Sequence, residues 1–114
     1  MIESITKEKL ENAIKLYKHA DVIVNRRLLN DYLNSNCMQY GLCQLLLRSP
    51  KTSVEEMDQL SKYIEEICIK LDIPFTFIEF GVFYVGDGPL NRSIYQERDI
   101  KYRIQILQYM LEQN

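Results

Sequence analysis

Polar and apolar residues alternate along this chain with a period close to that of an α-helix, and several segments stand out. After Thr6, a residue suited to an N-cap, Leu10, Ala13, Ile14 and Tyr17 fall at i, i+3, i+4 and i+7. That spacing predicts a helix over about 7–19 with one apolar stripe. His19 stands at its end, where the helix dipole welcomes positive charge. Asp21 is expected to cap a second helix, in which Leu28, Leu29, Tyr32 and Leu33 repeat the pattern to about residue 35. Asn34-Ser35-Asn36 then breaks the run, because these side chains compete for backbone hydrogen bonds. A third helix is expected over about 38–48. Its Leu42, Cys43, Leu45, Leu46 and Leu47 run almost continuously, so it should be buried on most sides. Ser49-Pro50 stops it.

The fourth helix carries the strongest local signals. Ser53 and Glu56 form a capping box, and Glu55 and Glu56 suit the positive start of a helix. Met57, Leu60, Ile64, Ile67 and Leu71 follow as a core-facing seam, with Glu55, Asp58, Lys62, Glu65, Glu66 and Lys70 on the solvated side. Pro74 is expected to end it. The stretch 73–85, IPFTFIEFGVFYV, holds every phenylalanine of the chain, and Phe75 and Phe77 alternate around Thr76. One or two short strands around Gly81, or a packed extended loop, both fit that pattern. Gly86-Asp87-Gly88-Pro89 reads as a turn, and Ser93 with Gln96 opens a last helix over about 94–112. This helix has two apolar stripes. Ile100, Ile104, Leu107 and Leu111 form one; Tyr95, Tyr102, Ile106 and Tyr109 form another, displaced by roughly 160–200°. A helix apolar on two sides is either sandwiched within the fold or shared with another chain, and a homo-oligomer is expected. The fold class that follows is mainly α: about five helices in one compact domain, residues 1–114, with a short extended or β segment near 73–85.

Composition narrows the function classes. Hydrophobic residues make up 46% and charged residues 26% of 114, an ordinary globular balance that argues against disorder. No apolar run reaches the roughly 18 residues a membrane span needs, and the first residues lack the apolar core of a signal peptide, so a cytoplasmic protein with no membrane partner is expected. The formal charge is −2. Even residues 90–114, with Arg92, Arg98, Lys101 and Arg103 against three acids, are nearly balanced, which disfavours DNA and RNA as partners. A helix-turn-helix over the second and third helices fails for a related reason, since the candidate reading helix is leucine-rich rather than polar and basic. Cys37, Cys43 and Cys68 show no C-x-x-C spacing and read as small core residues carrying reduced thiols. With His19 the lone histidine, no metal site and no cofactor are expected. Nucleophilic triads need a base that His19 is poorly placed to supply, and Glu79 with Asp87 is a commonplace pair of loop acids, so no catalytic residues are assigned and an enzyme is not expected.

A small anionic ligand needs fewer cations than a nucleic acid does. The turn at Gly86, Asp87 and Gly88 leads into a helix start, whose free N–H groups attract anions. Arg92, Arg98 and Arg103 could hold phosphate or ribose oxygens, and Tyr84, Tyr95 and Tyr102 could stack on a base. The same residues also fit an ordinary tight turn followed by surface packing. Tyrosine is abundant, at eight residues, and suits any surface that is apolar yet meets water.

Two stretches carry a resemblance. Arg27-Leu28-Leu29-Asn30-Asp31-Tyr32-Leu33 is followed by Tyr40-Gly41-Leu42-Cys43 opening a leucine-rich helix. Phe80 to Tyr84, Gly86 to Pro89, and Arg103 with Leu107 complete the order. Over roughly residues 27–110 the chain resembles small uncharacterised phage and prophage proteins with a Gly-Leu-Cys helix start and an aromatic segment before a final Arg/Leu helix. It departs from them in lacking tryptophan. The resemblance implies a phage counter-defence protein acting in the host cytoplasm. Such proteins sequester a nucleotide-like immune signal inside an oligomer, or cover the working surface of a host defence protein. The first is the leading expectation, with Tyr84, Gly86, Asp87, Gly88, Arg92, Tyr95, Arg98, Tyr102 and Arg103 as the ligand site. The second would use the tyrosine-rich C-terminal helix.

Overall fold

The computed structural model describes residues 5–35, 42–47, 53–79, 82–85 and 97–113; at 34, 43–44, 75–79, 82–85 and 97–99 it describes the backbone alone. Among these residues stand five helices: α1 (Lys7–Asp21), α2 (Arg26–Ser35), α3 (Leu42–Leu47), α4 (Val54–Leu71) and α5 (Glu97–Glu112). The backbone at β1 (Phe75–Glu79) and β2 (Val82–Val85) pairs antiparallel, with Phe75 opposite Val85 and the register shifting between Phe77 and Glu79. The protein is mainly α-helical. Its radius of gyration, 13.2 Å, matches the ~13 Å of a compact chain of about this length.

Thr6 caps α1 as its position implies, its hydroxyl accepting from the Lys9 N–H at 3.2 Å. Ile5 before the cap and Leu10 four residues into the helix are both buried, the placement of a hydrophobic staple. Leu10, Ala13, Ile14 and Tyr17 all lie in the core, and the stripe extends to Ala20. The helix runs two residues past the expected end, so Asp21 closes α1 instead of capping α2. Asn25 takes that role: its Oδ1 accepts from the Leu28 N–H at 3.1 Å. Leu29, Tyr32 and Leu33 turn inward from α2, but Leu28 lies about 40° outside their arc and is 59% exposed.

Ser53 caps α4, with Oγ accepting from the Glu56 N–H at 3.1 Å and donating to Glu56 Oε1 at 3.4 Å. Leu60, Ile64 and Ile67 are buried along the expected seam. The seam then shifts to Cys68 and Ile73, leaving Leu71 exposed. The shift follows from how the helix ends. Asp72 adopts the left-handed conformation (φ 56°, ψ 45°), its N–H donates to the Ile69 carbonyl, and the Ile73 N–H donates back to the Cys68 carbonyl at 2.8 Å. This is a Schellman closure. It folds Ile73 onto the core and ends α4 at Leu71, three residues before Pro74.

α5 is the keel of the fold. It packs most extensively on α1 and also touches α4 and β2. Ile100, Arg103, Ile104, Ile106, Leu107 and Met110 are all buried, an arc of about 160° on the helical wheel. Ile106, part of the second stripe, is therefore covered within the chain itself, while Tyr102 and Tyr109 of that stripe are half-buried.

Candidate functional site

The expected ligand residues separate when placed on this frame. Gly86, Asp87, Gly88, Arg92 and Tyr95 lie outside the described residues. Tyr84 stands on β2 with Thr76 as its cross-strand partner, and Arg98 stands in the first turn of α5. Tyr102 is half-buried against the edge of the core. Arg103 faces inward.

That inward placement changes the chemistry available. Arg103 is 3% exposed, and its Nη1 donates to the Tyr17 hydroxyl at 3.1 Å across the α1–α5 interface. The guanidinium carbon lies 5.8 Å from the Tyr17 ring centroid, within cation–π range. An arginine expected to meet a phosphate in solvent is thus part of the packing between two helices. The signal was present in the spacing: position 103 lies three residues after Ile100 and four before Leu107, inside the buried stripe. A charge read by type alone points outward; read by position, this one points in.

A different group of side chains gathers on the outer face of the α4–α5 pair. Tyr102 and Tyr109 are seven residues apart on one side of α5, and both are half-buried. From the last turn of α4, Lys70 Nζ donates to Tyr109 Oη at 3.1 Å and sits 5.6 Å from the ring centroid. That hydrogen bond, followed by the charge of Tyr109, holds the Lys70 ammonium above its ordinary value. Burial pushes the Tyr63 hydroxyl up, with Tyr109 and Glu66 adding to the shift and Lys70 opposing it. The Tyr63 phenol therefore stays a neutral group beside a charged ammonium. Such a face can stack, bury apolar edge and hydrogen-bond. The sequence assigns Lys70 only to the solvated face of α4 and singles out no role for Tyr63, because α4 gives no sign of which neighbour they meet.

The buried groups elsewhere are quiet. Burial, with a smaller contribution from Glu65, pushes the Cys68 thiol up to about 11, so it stays protonated and unreactive at neutral pH. Tyr32 donates to the Leu16 carbonyl at 3.1 Å and its ring meets that of His19 at 4.7 Å between centroids. Among the described residues no cluster of three His, Cys, Asp or Glu could hold a metal, and no helix is long and apolar enough to cross a membrane. Comparison of the chain with known protein families, with curated proteins and with solved structures gives no match.

Proposed function

We propose that this chain is a non-catalytic binding protein of the phage counter-defence kind, and that it docks a host protein through the outer face of α5. The observation that carries the reading is the Tyr102–Tyr109 pair with Lys70 fixed on Tyr109. Half-buried tyrosines lose little conformational entropy on binding and tolerate water at the rim, and an ammonium held over a ring adds a directed charge. The phage context, and with it the host cytoplasm, comes from the resemblance over residues 27–110. A second reading keeps the small anionic, nucleotide-like ligand and the homo-oligomer that would sequester it. Its support is Arg98, which stands four residues before Tyr102 and so shares its face of α5 by helical spacing. In that reading Arg103 acts from beneath as a support for α5, and Arg98 with Arg92 would meet the anion.

One set of variants tests both. The Y102A/Y109A double variant should lose a host protein that co-purifies with the wild-type chain, while Arg98→Ala retains it. If native mass spectrometry instead finds a nucleotide-sized species released on denaturation, and Arg98→Ala empties the protein, sequestration is the function and docking through α5 is wrong.

A further inference from the structure

Six large hydrophobic residues are well exposed among the described residues, and they fall into two groups. Val22 (70% exposed), Val24 (97%) and Leu28 mark the corner between α1 and α2; Val54 (64%), Ile69 (69%) and Leu71 lie on α4. Scattered single aliphatics on a surface mean little, but Val22, Val24 and Leu28 gather at one corner, and Val54 and Ile69 share one face of α4, about 22 Å apart along the helix, while Leu71 stands on the side of the seam. The two regions carry opposite charge. Residues 15–28 hold Lys15, Lys18, Arg26 and Arg27, all exposed, against Asp21 alone. Residues 54–72 hold six acids against Lys62 and Lys70. The chain as a whole is only −2, so its charge is strongly divided between these surfaces. On a helical wheel Val54, Glu65, Asp58 and Ile69 follow one another within about 60°, with Lys62 beside them bridging Asp58 at 3.1 Å, so Glu65 is the acid of this face left to meet a cation from outside. At the corner the sign is reversed: Lys18, Arg26 and Arg27 flank Val22, Val24 and Leu28 along the chain.

We propose that the basic, apolar corner at 15–28 docks onto the acidic outer face of α4 in a second copy of this chain. Each surface supplies what the other lacks: aliphatic side chains to bury together and charges of opposite sign around them. Among the described residues both surfaces are exposed, and each copy carries both, so a two-fold pair can make the same contact twice. The pairing stands apart from the α5 face and does not rest on the function proposed above.

Sedimentation velocity of the full chain tests it. The wild type should associate at micromolar concentration, and about tenfold more weakly when salt rises from about 50 to about 500 mM, because the rim charges are screened. R26E/R27E and D58K/E65K change exposed or half-exposed residues on the two surfaces and should each be monomeric, with circular dichroism confirming that both fold. Mixed one to one, the two variants should reassociate, since the reversed corner of one now meets the reversed α4 of the other. A wild type that stays monomeric at about 100 μM in low salt, reversals without effect, or a mixture that stays monomeric would each overturn the proposal. So would a monomer that instead binds vesicles rich in anionic lipid through Val24.

Discussion

α1 and α2 are written in nearly the same pattern and end in different circumstances. Each begins beside a side-chain cap and carries apolar residues at i, i+3 and i+4. α1 buries every residue of its stripe, because α5 lies along its length. α2 buries Leu33 fully, holds Leu29 and Tyr32 at the edge of the core, and leaves Leu28 in solvent. The difference lies in the partner. An apolar stripe states which face a helix would bury; the depth of burial is decided by what packs against it.

The contrast is sharpest where α1 is deepest. Leu10→Ala should cost about 3 kcal/mol in urea unfolding, the usual loss for a fully enclosed leucine whose cavity cannot collapse. Arg103→Ala should come close behind, at about 2–3 kcal/mol, since it removes buried packing and leaves the Tyr17 hydroxyl without its donor. Measuring Arg103→Ala, Tyr17→Phe and the double variant should give a coupling of about 1 kcal/mol or more; additive effects would mean the two side chains do not act together. In α2, Asn25→Ala should cost about 1 kcal/mol through the lost cap. Leu28→Ala, measured at a concentration where the chain is monomeric, should stay within about 0.5 kcal/mol. A large loss at Leu28 only at higher concentration would mean that α2 is covered by something beyond the single chain.

A pH series sharpens the same contrast from another side. Cys68 ionises near 9.0 when unfolded and at about 11 when folded. Above pH 9 the unfolded state therefore binds fewer protons than the native one, so stability should fall between pH 9 and 11 and be unaffected by this group below that window. Cys68→Ala should flatten this part of the profile. Iodoacetamide labelling followed by peptide mapping should find Cys68 protected until the fold opens.

Local signals were the legible part of this fold. The caps at Thr6 and Ser53, the seam of α4 and the five-helix count rest on interactions within a few residues of one another, and a linear sequence displays them. Asp21 and Asn25 are both good capping types, and only the extra half-turn of α1 decides between them. Leu71 continues a perfect period yet falls outside the core, because Asp72 turns the chain and Ile73 takes the inner place. Arg103 was misplaced by its type, since charge outward is the general rule and burial beside Tyr17 is a long-range fact. The Lys70–Tyr109 contact joins residues 39 positions apart and leaves no trace in either helix.

Tyr17 has one more property that follows from its position. The chain contains no tryptophan, so its near-ultraviolet optical signal belongs to its eight tyrosines. Most of the described tyrosine rings are half-buried at the rim. Tyr17 is enclosed, held on both its face and its hydroxyl by a single guanidinium. It is a built-in chromophore at the joint between α1 and α5, and its dichroic band can follow the opening of that joint without any label.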